Sequence, residues 1–326
     1  MSDKIRSDKP IGKEKFKSKI GGQAVIEGVM MRGIDKAAMA NRLPNGTIDL
    51  EVWNIKGGKN PPWYRKTPFV RGIFSFLTSM IDGYKCITRS ADKQMTDDDD
   101  EEMSKFEQWL DDKLGDKLMP IISGIAMVIG VALALFLFMW VPSALIKLVD
   151  TYVIHINTVV KNIIEGLMKI LIFIGYTSAT ALMSDMKRLY EYHGAEHKTI
   201  ACYEHGEELE PENVKRFTRF HPRCGTSFIF LVLFISIFVN TVFRVSWSSV
   251  LLRVVWKIAL LPVVTGIAYE LIRLAGRYDN LATRIISAPG LWIQRITTRE
   301  PETDEIECAI AALKAVIPEN QEDDKW

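Results

Sequence analysis

Leu118-Met-Pro-Ile-Ile-Ser-Gly-Ile-Ala-Met-Val-Ile-Gly-Val-Ala-Leu-Ala-Leu-Phe-Leu-Phe-Met-Trp-Val-Pro-Ser-Ala-Leu-Ile146 carries no charged side chain over 29 positions. A helix needs about 20 apolar residues to cross a hydrocarbon core about 30 Å thick, so this stretch reads as a membrane span. Thr226–Phe243 gives 18 more uncharged residues, ended by Arg244. Two interrupted stretches extend the pattern. Ile163–Ser184 holds Glu165 and Lys169 near its start, and Val250–Leu274 holds Arg253 and Lys257 near its start. Long side chains near a helix end can snorkel to the interface, so both qualify as spans. The expected fold is a mainly α membrane protein, a four-helix transmembrane bundle with a small N-terminal antiparallel β-sheet and cytoplasmic helices.

Lysine and arginine set the orientation. Seven of them lie in the first 19 residues, and the connection between spans two and three holds Lys187, Arg188, Lys198, Lys215, Arg216, Arg219 and Arg223. A cell-membrane protein with both termini and the 185–225 loop in the cytoplasm is therefore expected. The polar, lysine-rich start has no apolar run of the kind a secretory signal requires. With a net charge of only +1, the chain calls for a lipid bilayer as partner and not for nucleic acid. Cys86, Cys202, Cys224 and Cys308 then face a reducing compartment, which argues against a disulfide framework.

Outside the spans the chain divides into a basic tail over 1–20, a small β domain over 21–60 and an amphipathic helix with an acidic linker over 61–116. The membrane domain covers 117–275 and C-terminal helices cover 276–326. Ala24–Arg32, Ala37–Leu43 and the alternating Thr47–Trp53 read as strands, with Pro44-Asn45-Gly46 as the hairpin turn. Pro68–Ser90 has a helical apolar stripe, Asp97–Glu102 is a solvated run of carboxylates, and Leu281–Ile296 and Glu302–Val316 read as helices.

Four of the five histidines fall between His193 and His221, and two frame a glutamate as His193-Gly-Ala-Glu196-His197. Imidazoles four apart on a helix share a face, and the order HxxEH is that of the inverted zincins. In the catalytic reading His193 and His197 bind a divalent metal, zinc, with Glu270 or His221 as third ligand. Glu196 beside them is then the general base of a hydrolase. In the structural reading Cys202-x-x-His205 and His221-x-x-Cys224 close a four-ligand zinc site that staples the loop of a non-enzymatic scaffold. Glu270 equally reads as the partner of Arg273, Arg277 or Arg32, since an unpaired acid in an apolar helix is costly. A transporter is disfavoured, because the charges gather at one interface and line no midplane path.

Gly21-Gly-Gln-Ala-Val-Ile-Glu-Gly-Val-Met-Met-Arg-Gly33, Tyr192–Thr199, His221-Pro-Arg-Cys-Gly-Thr-Ser227, Tyr269-Glu-Leu-Ile-Arg273 and Pro289-Gly with Gln294–Pro301 resemble the motifs of the YqhQ-like family of uncharacterised bacterial membrane proteins. The resemblance spans about residues 20–315 and implies a metal-dependent enzyme. It also directs attention to Glu27 and Arg32, in a glycine-flanked strand that could fold over the site and touch substrate. Lys198 and Arg223 are further candidates for substrate or supporting contacts. Gln294, Arg295 and Arg299 read as interfacial anchors or as contacts for an anionic headgroup. A membrane peptide or lipid fits as substrate, because an interfacial site can admit either.

Overall fold

The computed structural model describes residues 14–94, 115, 118–243, 247–278 and 280–325. The first 13 residues of the basic tail and the acidic run Asp97–Glu102 lie outside them. One compact unit comprises Met1–Gln94, Ile174–Ile235 and Pro262–Trp326, and the other comprises Met95–Phe173 and Ser236–Leu261.

The first unit is built on an antiparallel meander of β1 (Gly21–Val25), β2 (Gly28–Arg32), β3 (Lys36–Arg42) and β4 (Ile48–Asn54). The sequence reads Ala24–Arg32 as one strand, but the chain reverses within it. Val25 pairs with Gly28, and the turn between them holds Glu27 at φ 49°. A left-handed turn at a non-glycine residue leaves little mark in the sequence. The Asn45-Gly46 hairpin forms as expected, with Arg42 opposite Ile48 and Gly46 at φ 83°.

Side chains alternate across a strand, and here both faces of the sheet are covered. Val29, Met31, Ala38 and Ala40 pack with Tyr192, Ala195 and Ile200 of one helix and with Ile306, Ala309, Ile310 and Leu313 of another. Met30 and Met39 point the other way, against Val25 and Cys86. Cys86 belongs to α1 (Val70–Asp92), the amphipathic helix expected over 68–90.

The long apolar stretch forms α2 (Leu118–Leu135), a π-helical turn over Phe136–Trp140 and α3 (Val141–Tyr152). After it come α4 (Thr158–Thr180), α5 (Ser184–Glu204), the short α6 (Pro211–Val214), α7 (Gly225–Val242) and α8 (Val250–Arg277). Then α9 (Leu281–Thr297) and α10 (Thr303–Val316) follow, each opened by a capping box.

Among the described residues three helices are long and apolar enough to cross a membrane, Ile121–Tyr152, Gly225–Val242 and Val250–Arg277. This corrects the expectation of four on composition. The fourth candidate, α4, is a 23-residue helix, yet Lys161, Glu165 and Lys169 all sit in its first half. Helix α4 does not run on to the histidines. Its helix ends at Thr180, Met183 is extended at ψ 141°, and α5 starts afresh at Ser184.

In the second unit the charges of α4 are buried and paired. Glu165 is 2% exposed and forms ion pairs with Lys169 at 2.9 Å, Arg253 at 2.5 Å and Lys257. Ser143 donates to Glu165 at 3.2 Å, and Arg253 also donates to Asn162 at 2.7 Å and lies 3.6 Å from the centroid of the Trp247 ring.

Candidate metal centre

Helix α5 buries Tyr192, Ala195 and Ile200 against the sheet, which turns His193 and His197, one helical turn apart, away from it. The segment after α6 returns to meet them and delivers Cys224. The coordinating atoms of His193, His197 and Cys224 all lie within 4.8 Å of one another, and His193 Nε2 is 3.1 Å from Cys224 Sγ. Ligand atoms around a tetrahedral ion with bonds of about 2.0–2.3 Å stand roughly 3.3–3.6 Å apart, so small adjustments close the set.

Both imidazoles are oriented from behind. His193 Nδ1 is 2.8 Å from the Thr297 carbonyl oxygen, and His197 Nδ1 is 2.6 Å from that of Arg219. A carbonyl can only accept, so each Nδ1 carries a proton, and in the neutral ring Nε2 is the nitrogen left with the lone pair that a metal requires. In the metal-free state burial opposes charge on His193, but the neighbouring Cys224 thiolate outweighs it and raises the imidazole to about 9. Burial likewise works against the Cys224 thiolate, and His193 and His197 override it, so the thiol falls well below its ordinary value.

Glu196 is buried under β1, and the backbone N–H of Gly22 donates to its carboxylate. Burial pushes this carboxyl up, an effect only partly offset by His197 and His193. A Cβ at Gly22 would come within 2.9 Å of Glu196 Cγ, so the first glycine-rich motif covers the acid closely. The glycine inside the histidine motif has a similar reason. A Cβ on Gly194 would stand 1.9 Å from the carbonyl oxygen of Arg299, whose own N–H donates to Tyr190 at 2.8 Å. Residues 297–299 are thereby zipped along α5 and hold the Thr297 carbonyl at His193. Gly194→Ala is expected to cost about 1–3 kcal/mol through overpacking and to lower metal affinity, as thermal unfolding and metal titration of the purified variant can show.

The other candidates from the sequence lie elsewhere. Glu270 is not in the cluster; it pairs with Arg71 and accepts the N–H of Phe69 at 3.1 Å, and Arg273, one of the partners expected for it, also acts electrostatically on it. His221 flanks His197, ring centroids 5.4 Å apart, but its Nε2 faces Arg223 at 3.1 Å. Burial, with Arg223 and His197 adding to it, lowers His221 to about 4, against the pull of Glu204. The alternative four-ligand set is not assembled. Cys202 donates to the Glu208 carbonyl, His205 bonds the Ala201 carbonyl and packs on Phe217, and only Cys224 of that set joins the cluster.

Glu27 binds Arg188 and accepts from Tyr192, and Arg32 pairs with Asp82 at 2.5 Å. Lys198 pairs with Glu300 at 2.5 Å, and Arg223 is held by Glu204 and the Ser18 carbonyl. Gln294, read as an interfacial residue, is fully buried; it accepts from His221 N and donates to His221 O and Ser227 Oγ. It fixes the backbone that carries Cys224.

Residues 67–319 match the family described as "Protein of unknown function (DUF1385)". The chain belongs to the DUF1385 family. It is also 32% identical over 308 residues to the "Uncharacterized protein YqhQ" of Bacillus subtilis (strain 168), covering 94% of this chain and 95% of that protein. The family resemblance read from the motifs is thus sound, and the histidine motif, Cys224, Gln294 and the 297–299 segment all fall inside the DUF1385 match. No solved structure matches the chain.

Proposed function

We propose that this chain is a metal-dependent hydrolase of the membrane surface, with His193, His197 and Cys224 as metal ligands and Glu196 as general base. The observation that carries it is the convergence of two Nε2 atoms and one thiol, each imidazole held by a carbonyl, beside a buried carboxylate. Three protein ligands leave a tetrahedral ion one open position, the arrangement of catalytic and not of structural zinc. A divalent cation held there supplies Lewis-acid polarisation and a water acidic enough to attack an amide or ester at neutral pH. The chain's own contribution is to fix both imidazole tautomers, to keep the thiol ionised and to place in Glu196 a carboxylate able to take a proton and pass it to a leaving group.

The membrane reading extends to four crossings with the site in the cytoplasm. The sheet precedes the long apolar helix and α5 follows α4, yet sheet and α5 share one core. Two segments that pack together lie on one side, so the crossing by Ile121–Tyr152 requires a return, and α4 is the helix available for it. Its charges are paired inside the protein, Lys161 with Asp150 and Lys169 with Glu165, which lowers the cost of burying them. Helices α7 and α8 make the second pair, and the lysine and arginine bias puts the shared side inside the cell.

Glu196→Gln tests the chemistry. The variant is expected to retain wild-type metal content while losing about 10²–10⁴-fold in rate, read as failure to complement a deletion strain. Full complementation by a metal-retaining Glu196→Gln protein would favour the scaffold reading and remove the hydrolase.

A further inference from the structure

A cavity of about 500 Å³ has a wall that includes Leu182, Glu191, Arg219, Arg295, Thr298, Arg299 and Glu300. Two of these residues adjoin the backbone that orients the histidines. Arg219 supplies the carbonyl that orients His197, and Thr298 follows the residue whose carbonyl orients His193. The three arginines differ in their engagement. Arg219 is 3.5 Å from Glu300, which Lys198 also binds. Arg299 donates to the Ala181 carbonyl at 3.2 Å and acts electrostatically on Glu191, whereas Arg295 is exposed. The level of the cavity follows from its neighbours. Leu182 and Met183, just past the end of α4, are 76% and 56% exposed. On α9, Leu281, Ile285 and Trp292 form an exposed apolar face, while Ser287, Gly290 and Gln294 are buried. A helix of this kind lies in the interface with its polar edge among the headgroups, and Arg295 is on that helix.

We propose that this cavity binds the phosphate of an anionic phospholipid, its three guanidinium groups outnumbering the two carboxylates of its wall. Guanidinium groups recognise phosphate oxygens in fork geometry, and a basic pocket between helices at the inner membrane surface is the setting in which anionic headgroups are held. The exposed apolar residues beside it give the acyl chains a continuous route into the bilayer.

The test uses the full chain purified in nanodiscs of equal phosphatidylglycerol and phosphatidylcholine, with lipid retained after detergent extraction counted by native mass spectrometry and metal content read on the same samples. Wild type is expected to retain phosphatidylglycerol preferentially. Arg295→Gln, an exposed position whose change leaves the core intact, should lower that preference about fivefold, and Arg295→Gln with Arg299→Gln about thirtyfold. Metal content should stay at the wild-type level in both. Equal retention of the two lipids by wild type, or an unchanged preference in the variants, overturns the proposal. So does displacement of the lipid by millimolar inorganic phosphate, which marks a site for a free phosphate, or by a membrane peptide ending in a free carboxylate. Lipid preference in a protein that binds no metal upholds the cavity and removes the metal reading instead.

Discussion

Cys224→Ala is expected to empty the metal centre. Titration with zinc should show affinity lower by more than about 100-fold, because even loss of a residue that only orients a ligand costs 10–100-fold and Cys224 supplies a coordinating atom. His197→Ala should behave alike. Cys202→Ala and His205→Ala should keep wild-type metal, since neither residue reaches the cluster. The comparison is decisive between the two ligand sets: metal lost from the Cys202 and His205 variants but kept by His197→Ala would reinstate the four-ligand loop and dismiss the cluster around α5. The fold should survive loss of the thiol, because the surrounding backbone is held separately by Gln294.

Glu165→Ala is expected to be the most damaging change in the other unit. It strips the carboxylate shared by Lys169, Arg253 and Lys257, all at most 6% exposed, and leaves those cations buried without it. Breaking a buried pair by removing one partner costs about 3–5 kcal/mol. The variant should give little monodisperse protein on size exclusion after extraction and a lower melting temperature in detergent. Joint replacement of Glu165, Lys169, Arg253 and Lys257 by leucine or methionine should recover much of the loss, since apolar packing replaces a whole set of buried ions at little cost. A melting temperature for Glu165→Ala equal to wild type would mean that the charges of α4 reach water and that α4 is not a crossing helix.

The elements legible in the sequence were those with strong local periodicity. The long apolar helix, the amphipathic α1, the Asn45-Gly46 hairpin and the two C-terminal helices all stand close to where their patterns put them. The β1–β2 reversal was not legible, because β2 is covered on both faces and reads as one apolar run with the residues before it. In the candidate site, spacing alone pointed to His193 and His197, which the fold brings together with Cys224. The pairing of Cys224 with them was hidden, since which of His221 and Cys224 points inward is decided by Gln294, 73 residues beyond His221. Glu270 misled for the same reason: an acid in an apolar helix signals a partner, and the partner proved to be Arg71, 199 residues earlier.

The carbonyl that orients His193 belongs to Thr297, and the backbone that excludes any side chain at Gly194 belongs to Arg299. Both are synthesised about 100 residues after the histidines, after the last of the three apolar helices has been translated. On the function proposed above, the cation pocket would therefore be completed only after the third apolar helix has been translated, which would tie acquisition of the ion to completion of the chain.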